Sequence, residues 1–394
     1  MESKEVNMYS KYNVYLKDFP KQDFTTIFNL RTQKVVCFSN CYLFPEPNKL
    51  IEKALIEKGI CCLDEAEEFL EVIKKYNDTI YSNNELVIVM LLTGHCNCRC
   101  IYCYESELDM EYNQCCNLKK VNKFIYKKMT ENQIEKLRVI FYGGEPLLNK
   151  KTITVVSEEL KKQYGERYKF SIVTNGTLLD ERDVKKWIDL GLSKIKVTLD
   201  GNAKSHNTRR PFKNGEGTYN IILQNLEKID KRVEVVINIV IDEKIFGVSE
   251  MIKDLKDRGI DISFSLNFKE PTNMTSKEKK DCMLKVSSVL KKEKVTFQTN
   301  IKAKHGIICP MKRQNYFVID GKGQLSGCES ILNNSLGNID SPYNKKIYDL
   351  SNKCKKCMYL PISYGGCVYE NTCLSEYFEQ LLPELLKLYI ETDK

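Results

Sequence analysis

From residue 86 to about 270, short unbroken apolar runs alternate with longer stretches in which apolar positions recur every three or four residues. The runs at 86–92, 137–143, 169–174, 194–199, 233–240 and 262–268 predict strands. The stretches at 118–129, 150–163, 180–190, 217–230 and 246–257 predict amphipathic helices. Strand and helix alternating at this spacing imply right-handed crossovers and a parallel sheet. Six such units suggest an open, partial (β/α)6 barrel.

The flanks read differently. Residues 1–82 resemble a small α+β module, with strand composition in YNVYLK, FTTIFNL and KVVCFS and helical spacing at 47–58 and 64–76. Residues 83–300 hold the barrel. Residues 301–394 form a cysteine-rich extension in which NYFVIDGKGQLSG predicts a hairpin and SEYFEQLLPELLKLYIETDK a closing helix.

In a barrel of this kind chemistry collects at the C-terminal ends of the strands. CNCRCIYC follows the first strand, GGEP the second and DG the fourth, while TNGT overlaps the end of the third. Four polar or glycine-bearing segments on one rim make a site.

Composition narrows the chemistry. The 394 residues include 17 cysteines. The start, MESKEVNMYSKYNVYLKDF, is polar and no apolar run approaches bilayer length, so the expected setting is the cytoplasm, with no membrane partner. Thiols kept reduced there point to metal or redox chemistry rather than disulfides. Lys and Arg number 61 against 53 Asp and Glu, but they are dispersed among acidic residues. That is a solvated surface, which argues against nucleic acid. Cys37, Cys41, Cys61 and Cys62 lack ligand-like company and read as packing or surface thiols.

Cys96, Cys100 and Cys103 are spaced Cys-x3-Cys-x2-Cys. Three thiolates on one loop can hold three irons of a [4Fe–4S] cluster and leave the fourth iron free for a substrate or cofactor. Cys98 lies two residues from its neighbours, tight for a cubane corner, and reads as packing.

This triad, with Ile101-Tyr102 before its last cysteine, resembles the signature of radical S-adenosylmethionine (SAM) enzymes. The resemblance implies a radical SAM barrel in which the free iron is chelated by SAM and reductive cleavage yields a 5′-deoxyadenosyl radical. It places Gly143, Gly144, Glu145 and Pro146 at the SAM amino group and Tyr102 near the adenine. Asn175 and Thr198 fall near the ribose or carboxylate, and Arg210 at the carboxylate. Each also has a plainer reading: Asn175 as a turn residue, Thr198 as a strand hydroxyl, Arg210 as a surface charge. His95 reads as packing near the cluster loop, and His206 and His305 as structural or exposed.

Cys309-x13-Gly323-x4-Cys328, then Cys354-x2-Cys357, Cys367 and Cys373, resembles the SPASM extension of the same superfamily, which carries auxiliary [4Fe–4S] clusters. The resemblance assigns Cys309, Cys328 and Cys367 to one cluster and Cys354, Cys357 and Cys373 to another. The family pattern would put a cysteine at 363, where this chain has Ser363, leaving the second cluster open or absent. A zinc knuckle on Cys354-x2-Cys357 is the alternative. In sulfatase-maturing relatives an acidic residue in the place of Glu329 acts as a base, so Glu329 is a catalytic candidate.

Such extensions occur on enzymes that install thioether or carbon–carbon crosslinks in ribosomal precursor peptides, with a reductant such as flavodoxin or ferredoxin. The N-terminal module fits leader-peptide recognition by strand addition. Formylglycine formation and an iron–sulfur electron carrier without radical chemistry are the alternatives, and GGEP argues against the carrier.

Overall fold

The computed structural model describes residues 8–42, 49–103, 116–268, 274–295, 297–298, 308–330, 335–341, 345, 348–368 and 373–390. Seven short elements open it: β1 (Met8–Tyr9), β2 (Asn13–Lys17), β3 (Phe24–Asn29), β4 (Val35–Ser39), α1 (Lys49–Glu57), β5 (Cys61–Cys62) and α2 (Glu65–Ile80). Strands β2, β3 and β4 make an antiparallel sheet, and β1 pairs with β5. Helix α2 starts at Asp64, whose carboxylate accepts from Ala66 N at 2.7 Å, satisfying one of the amides that a helix leaves free at its start.

The barrel follows in strict alternation. Its elements are β6 (Glu85–Leu91), α3 (Leu118–Glu131), β7 (Lys136–Tyr142), α4 (Lys150–Tyr164), β8 (Tyr168–Thr174), α5 (Glu181–Asp189) and β9 (Leu192–Thr198). They continue with α6 (Ala203–Arg209), α7 (Tyr219–Glu227), β10 (Glu234–Ile241), α8 (Val248–Asp257), β11 (Ser263–Phe268), α9 (Ser276–Lys292) and β12 (Phe297–Gln298). Strands β6 to β12 are parallel and lie side by side in sequence order. The six expected strands all form. The sequence pattern missed β12, the helix α9 and also α6, a short helix that Asn202 caps by accepting from Ser205 N at 3.0 Å.

Two-residue periodicity divides the sheet's faces. Leu86, Ile88 and Met90 of β6, with Ile195 and Val197 of β9, join the main core under the helices. The alternate positions face inward. There Val87, Val89, Leu91, Tyr316 and Val318 form a separate small apolar cluster.

The C-terminal elements are β13 (Tyr316–Ile319), β14 (Gln324–Ser326), β15 (Gly337–Asn338), α10 (Asn352–Lys356), α11 (Leu360–Ser363) and α12 (Ser375–Ile390). The DGKG hairpin forms as β13–β14. In addition, β13 pairs parallel with β6, so the hairpin extends the barrel sheet. All four residues of β13 are buried, and a buried apolar edge would otherwise leave backbone amides of β6 unpaired. Helix α12 packs on α9 and on β2, joining the chain's two ends. Among the described residues, no helix is long and apolar enough to cross a membrane.

The single tryptophan reports on this packing. Trp187 is buried on α5 and its indole donates to Thr154 Oγ1 of α4 at 2.9 Å. Trp187→Ala should lower the unfolding free energy by about 3–5 kcal/mol, and Thr154→Val by about 1 kcal/mol. Urea titrations followed by far-ultraviolet circular dichroism check both.

Candidate active site

The loop after β6 is held from two sides by its own backbone. Gly144 N donates to Thr93 O at 2.9 Å and Glu145 N to His95 O at 2.8 Å. Glycine is required there. Gly143 has φ +115, and a Cβ on Gly144 would stand 2.4 Å from His95 O. On the other side Arg99 N donates to Pro211 O at 2.8 Å, Ile101 N to Arg209 O at 3.0 Å and Lys213 N to Asn97 O at 3.1 Å. The cysteine loop is thus clamped between GGEP and the RRPFK segment.

Within it Cys96 accepts from Cys98 N at 3.4 Å and from Asn175 Nδ2 at 3.7 Å. Hydrogen bonding, first from Cys98, lowers its thiol. The Cys98 thiol is pushed up by its pairing with Cys96 and by burial. Only 7% of Cys98 is exposed, and its backbone bridges to Phe212. Burial pushes Cys100 up to about 11 against the opposing pull of Arg210. Cys103 closes the loop, donating its N–H to Cys100 O at 3.2 Å.

Glu145 is fully buried. It accepts from Thr174 Oγ1 at 2.7 Å, Asn175 N at 2.7 Å and Leu147 N at 2.9 Å, and burial still raises it to about 7. The carboxyl therefore ties the GGEP loop to TNGT, with Pro146 starting the turn that follows. Asn175 Nδ2 also donates to Asn97 Oδ1 at 2.8 Å.

Tyr102 sits on a charged network. Its hydroxyl donates to Asp200 and accepts from Arg210 Nη1, the latter at 2.7 Å. Arg209, only 2% exposed, pairs with Asp200 at 3.4 Å and with Asp242, and stands 4.9 Å from the Tyr102 ring centroid. Asp200 N donates to His206 Nδ1 at 3.2 Å, which leaves the His206 Nε2 proton for Thr218 Oγ1 at 2.9 Å. Burial keeps His206 neutral. Of the two readings for His206, the structural one applies. His305 lies outside the described residues.

Further in, Thr198 accepts from Asn238 at 3.5 Å, and Asn267 donates to Asn238 Oδ1. Glu329 accepts from Tyr316 OH at 2.8 Å. Its carboxylate acts on Lys196, whose ammonium burial otherwise disfavours. Lys196 and Tyr316 occupy inner-face positions, so Glu329 reaches the barrel interior. A cleft of about 800 Å³ beside Tyr126, Lys136 and Tyr164 lies at the start of β7, the opposite end of the strands from the cysteines.

The C-terminal cysteines fall into two neighbourhoods. Burial and then Glu329 push the Cys328 thiol up to about 12, with Cys309 and Cys367 adding repulsion. Cys357 is raised by burial and by Cys373 and Cys354. Ser363 is buried at the end of α11. Among the described residues no three His, Cys, Asp or Glu side chains converge as on one metal ion.

This donor set fits a cluster with thiolate ligands. Hydrogen bonds to Cys96 favour its thiolate, Arg210 sets a cation at Cys100, and the glycine pair leaves a cradle that a Cβ would fill. Sequence reasoning missed Arg209, Asp200 and Lys196; the signal for the first two was their place in DG and RRP at the rim.

Residues 90–245 match the model of the Radical SAM superfamily. The Fe-coproporphyrin III synthase of Methanosarcina barkeri is 29% identical over 140 residues, 36% of this chain and 33% of that enzyme. The chain spans between 29% and 58% of the length of curated relatives it matches. Among solved structures, anSMEcpe with bound AdoMet aligns over 78% of this chain and 97% of its own, at TM-score 0.62 and 19% identity. Streptococcus suis SuiB bound to precursor peptide SuiA aligns over 92% and 96%, at TM-score 0.54 and 15% identity. At those identities the likeness is one of fold. The chain has the α/β fold seen in radical SAM enzymes, and its residues 90–245 match the Radical SAM superfamily model.

Proposed function

We propose that the chain is a radical SAM enzyme that modifies a peptide, in the manner of a maturase that crosslinks a ribosomal precursor through a thioether or carbon–carbon bond. The observation that carries this reading is the cysteine loop clamped by backbone hydrogen bonds between residues 209–213 and the glycine cradle at 143–144. Cys96, Cys100 and Cys103 would hold the [4Fe–4S] cluster. Gly143, Gly144, Glu145, Pro146, Tyr102, Asn175, Thr198 and Arg210 would surround SAM. When bound, the pair supplies reductive cleavage of SAM and hydrogen abstraction, with the electron coming from a flavodoxin- or ferredoxin-like donor.

The chain's own residues do the rest. Arg210 offers a cation beside Cys100, and Glu145 holds two loops at fixed distance. Auxiliary clusters would fall on Cys309, Cys328 and Cys367 and on Cys354, Cys357 and Cys373, with Ser363 short of a thiolate. In residues 1–82, β4 is an edge strand of the β2–β3–β4 sheet among the described residues, suited to a leader peptide adding as a strand. SuiB, crystallised with its precursor peptide, supports the peptide as substrate class.

A second reading, oxidation of a cysteine or serine to formylglycine, is favoured by Glu329. Its carboxylate accepts from Tyr316 OH on the inner face, where a base could reach a substrate side chain.

Anaerobic reconstitution with iron and sulfide, then SAM and dithionite, should yield 5′-deoxyadenosine detectable by mass spectrometry. Cys96→Ala, Cys100→Ala or Cys103→Ala should each abolish it, while Cys98→Ala should retain most. Loss of the cluster in Cys98→Ala would reassign that residue as a ligand. Iron analysis should give about 12 per chain for three clusters, and about 4 would remove the auxiliary assignment. Gly144→Ala should weaken SAM binding at least tenfold by equilibrium dialysis, because the new methyl displaces the His95 carbonyl.

A further inference from the structure

The helix-poor C-terminal region buries an ammonium with no carboxylate to balance it. Lys312, in the turn just after Cys309, is 4% exposed. Its Nζ donates to Tyr364 O, the residue that ends α11, and lies 5.8 Å from the Tyr76 ring centroid. Tyr76 and Tyr364 stack at 5.5 Å and shield it. Among the described residues Lys312 forms no ion pair. Burial disfavours its charged form, and Cys309, Cys354 and Cys367 are the groups that favour it; its backbone N–H also donates to Cys309 O at 3.0 Å. A Cβ on Gly365 would lie 3.0 Å from Lys312 Nζ and 3.5 Å from Cys354 Sγ, so ammonium and thiol border one gap.

A second lysine repeats the arrangement. Lys345 Nζ donates to Tyr316 O at 2.5 Å and stands 4.7 Å from the Phe317 ring centroid; burial pulls it down to about 7, against the opposing pull of Cys309. Isolated buried cations are costly, and a protein keeps one only where anions or hydrogen bonds compensate it. Here the nearby groups able to carry that charge are thiols. They carry it permanently only when bound to metal.

We propose that Lys312 is the built-in counter-charge of the iron–sulfur clusters on the C-terminal cysteines. It lies between Cys309 and Cys367 of one set and Cys354 of the other, and it raises the potential at which those clusters accept an electron. This rests on the reading of these cysteines as cluster ligands. Lys312 is a positioning residue and touches no substrate in this account. Net charge around a cluster is one of the protein's main controls over its potential.

The test uses the full chain carrying Cys96→Ala, Cys100→Ala and Cys103→Ala, so that only the C-terminal cysteines can hold iron. In this background Lys312→Met and Lys312→Arg are compared with Lys312 in place. Iron content, thermal unfolding of the iron-free protein, and a dithionite titration followed by electron paramagnetic resonance are measured. Lys312→Met should unfold at the same or a higher temperature when iron-free, because a buried unbalanced charge is gone. Once reconstituted it should reduce at a more negative potential, while Lys312→Arg stays near the parent. An unchanged potential at full iron content would overturn the role. So would a large loss of iron-free stability in Lys312→Met, which would make the lysine a structural strut. A parent that takes up no iron would overturn the cluster assignment itself, and the iron count separates that failure from the others.

Discussion

The candidate site depends on three loops approaching within backbone hydrogen-bonding distance at one end of a parallel sheet. That approach is possible because residues 143 and 144 have no side chains. Any Cβ at 144 would overlap the carbonyl of His95, and the two bonds from Gly144 and Glu145 that fix the cysteine loop would part. Once that loop is fixed, its far strand of backbone aligns with residues 209–213. Arg210 is thereby delivered to Cys100, and Arg209 to Asp200 and Asp242, rather than to solvent. Glu145 then locks the third loop by accepting from both Thr174 and Asn175. Each contact presupposes the one before it, so the glycine pair is a geometric requirement on the whole rim.

Charge is the second constraint, and the two thiol regions meet it alike. Near the first, Arg209 is balanced by Asp200 and Asp242, while the Arg210 guanidinium donates to the Tyr102 hydroxyl and is acted on by Cys100. Near the others, Lys312 and Lys345 donate to carbonyls and face Cys309. In both places a cation is buried whose natural partner is sulfur in its anionic form. Arg209 pairs directly with two carboxylates and organises the network, Arg210 reaches Asp200 through the Tyr102 hydroxyl, and Lys312 and Lys345 form no ion pair among the described residues. The division suggests different jobs for neighbouring residues of identical type.

Much of the barrel was legible because buried parallel strands are nearly continuous apolar runs and the helices between them keep one apolar stripe. The rim motifs were legible for the same reason: they sit where those runs stop. The pairing of β13 with β6 was not legible, since YFVI reads as half of a local hairpin and nothing in it names a distant partner. Arg209 and Arg210 are adjacent, so which one turns toward the carboxylates depends on α6, a helix too short to show a period. Lys312 was invisible for a plainer reason. A lysine in a loop is almost always solvated, and only the stacked pair of Tyr76 and Tyr364, far apart in sequence, encloses it.

The inner face of the sheet bears on what the site can accept. Its near half, from β13, β6 and β7, presents Val318, Val87, Val89, Leu91 and Tyr142. Its far half, from β9 to β11, presents Lys196, Thr198, Asn238 and Asn267, the last three linked side chain to side chain. A barrel that served only as a scaffold would fill its interior with branched apolar side chains. Here half of it is polar, and Lys196 and Glu329 act on each other across the interior without forming an ion pair among the described residues. A carboxylate and an ammonium left apart in a low-dielectric space gain from a dipolar group between them. The valine half is packed shut, with Val89, Leu91 and Val318 each 1% exposed, so it walls the interior and leaves the polar half as the side on which the backbone amides of the peptide proposed above would find partners.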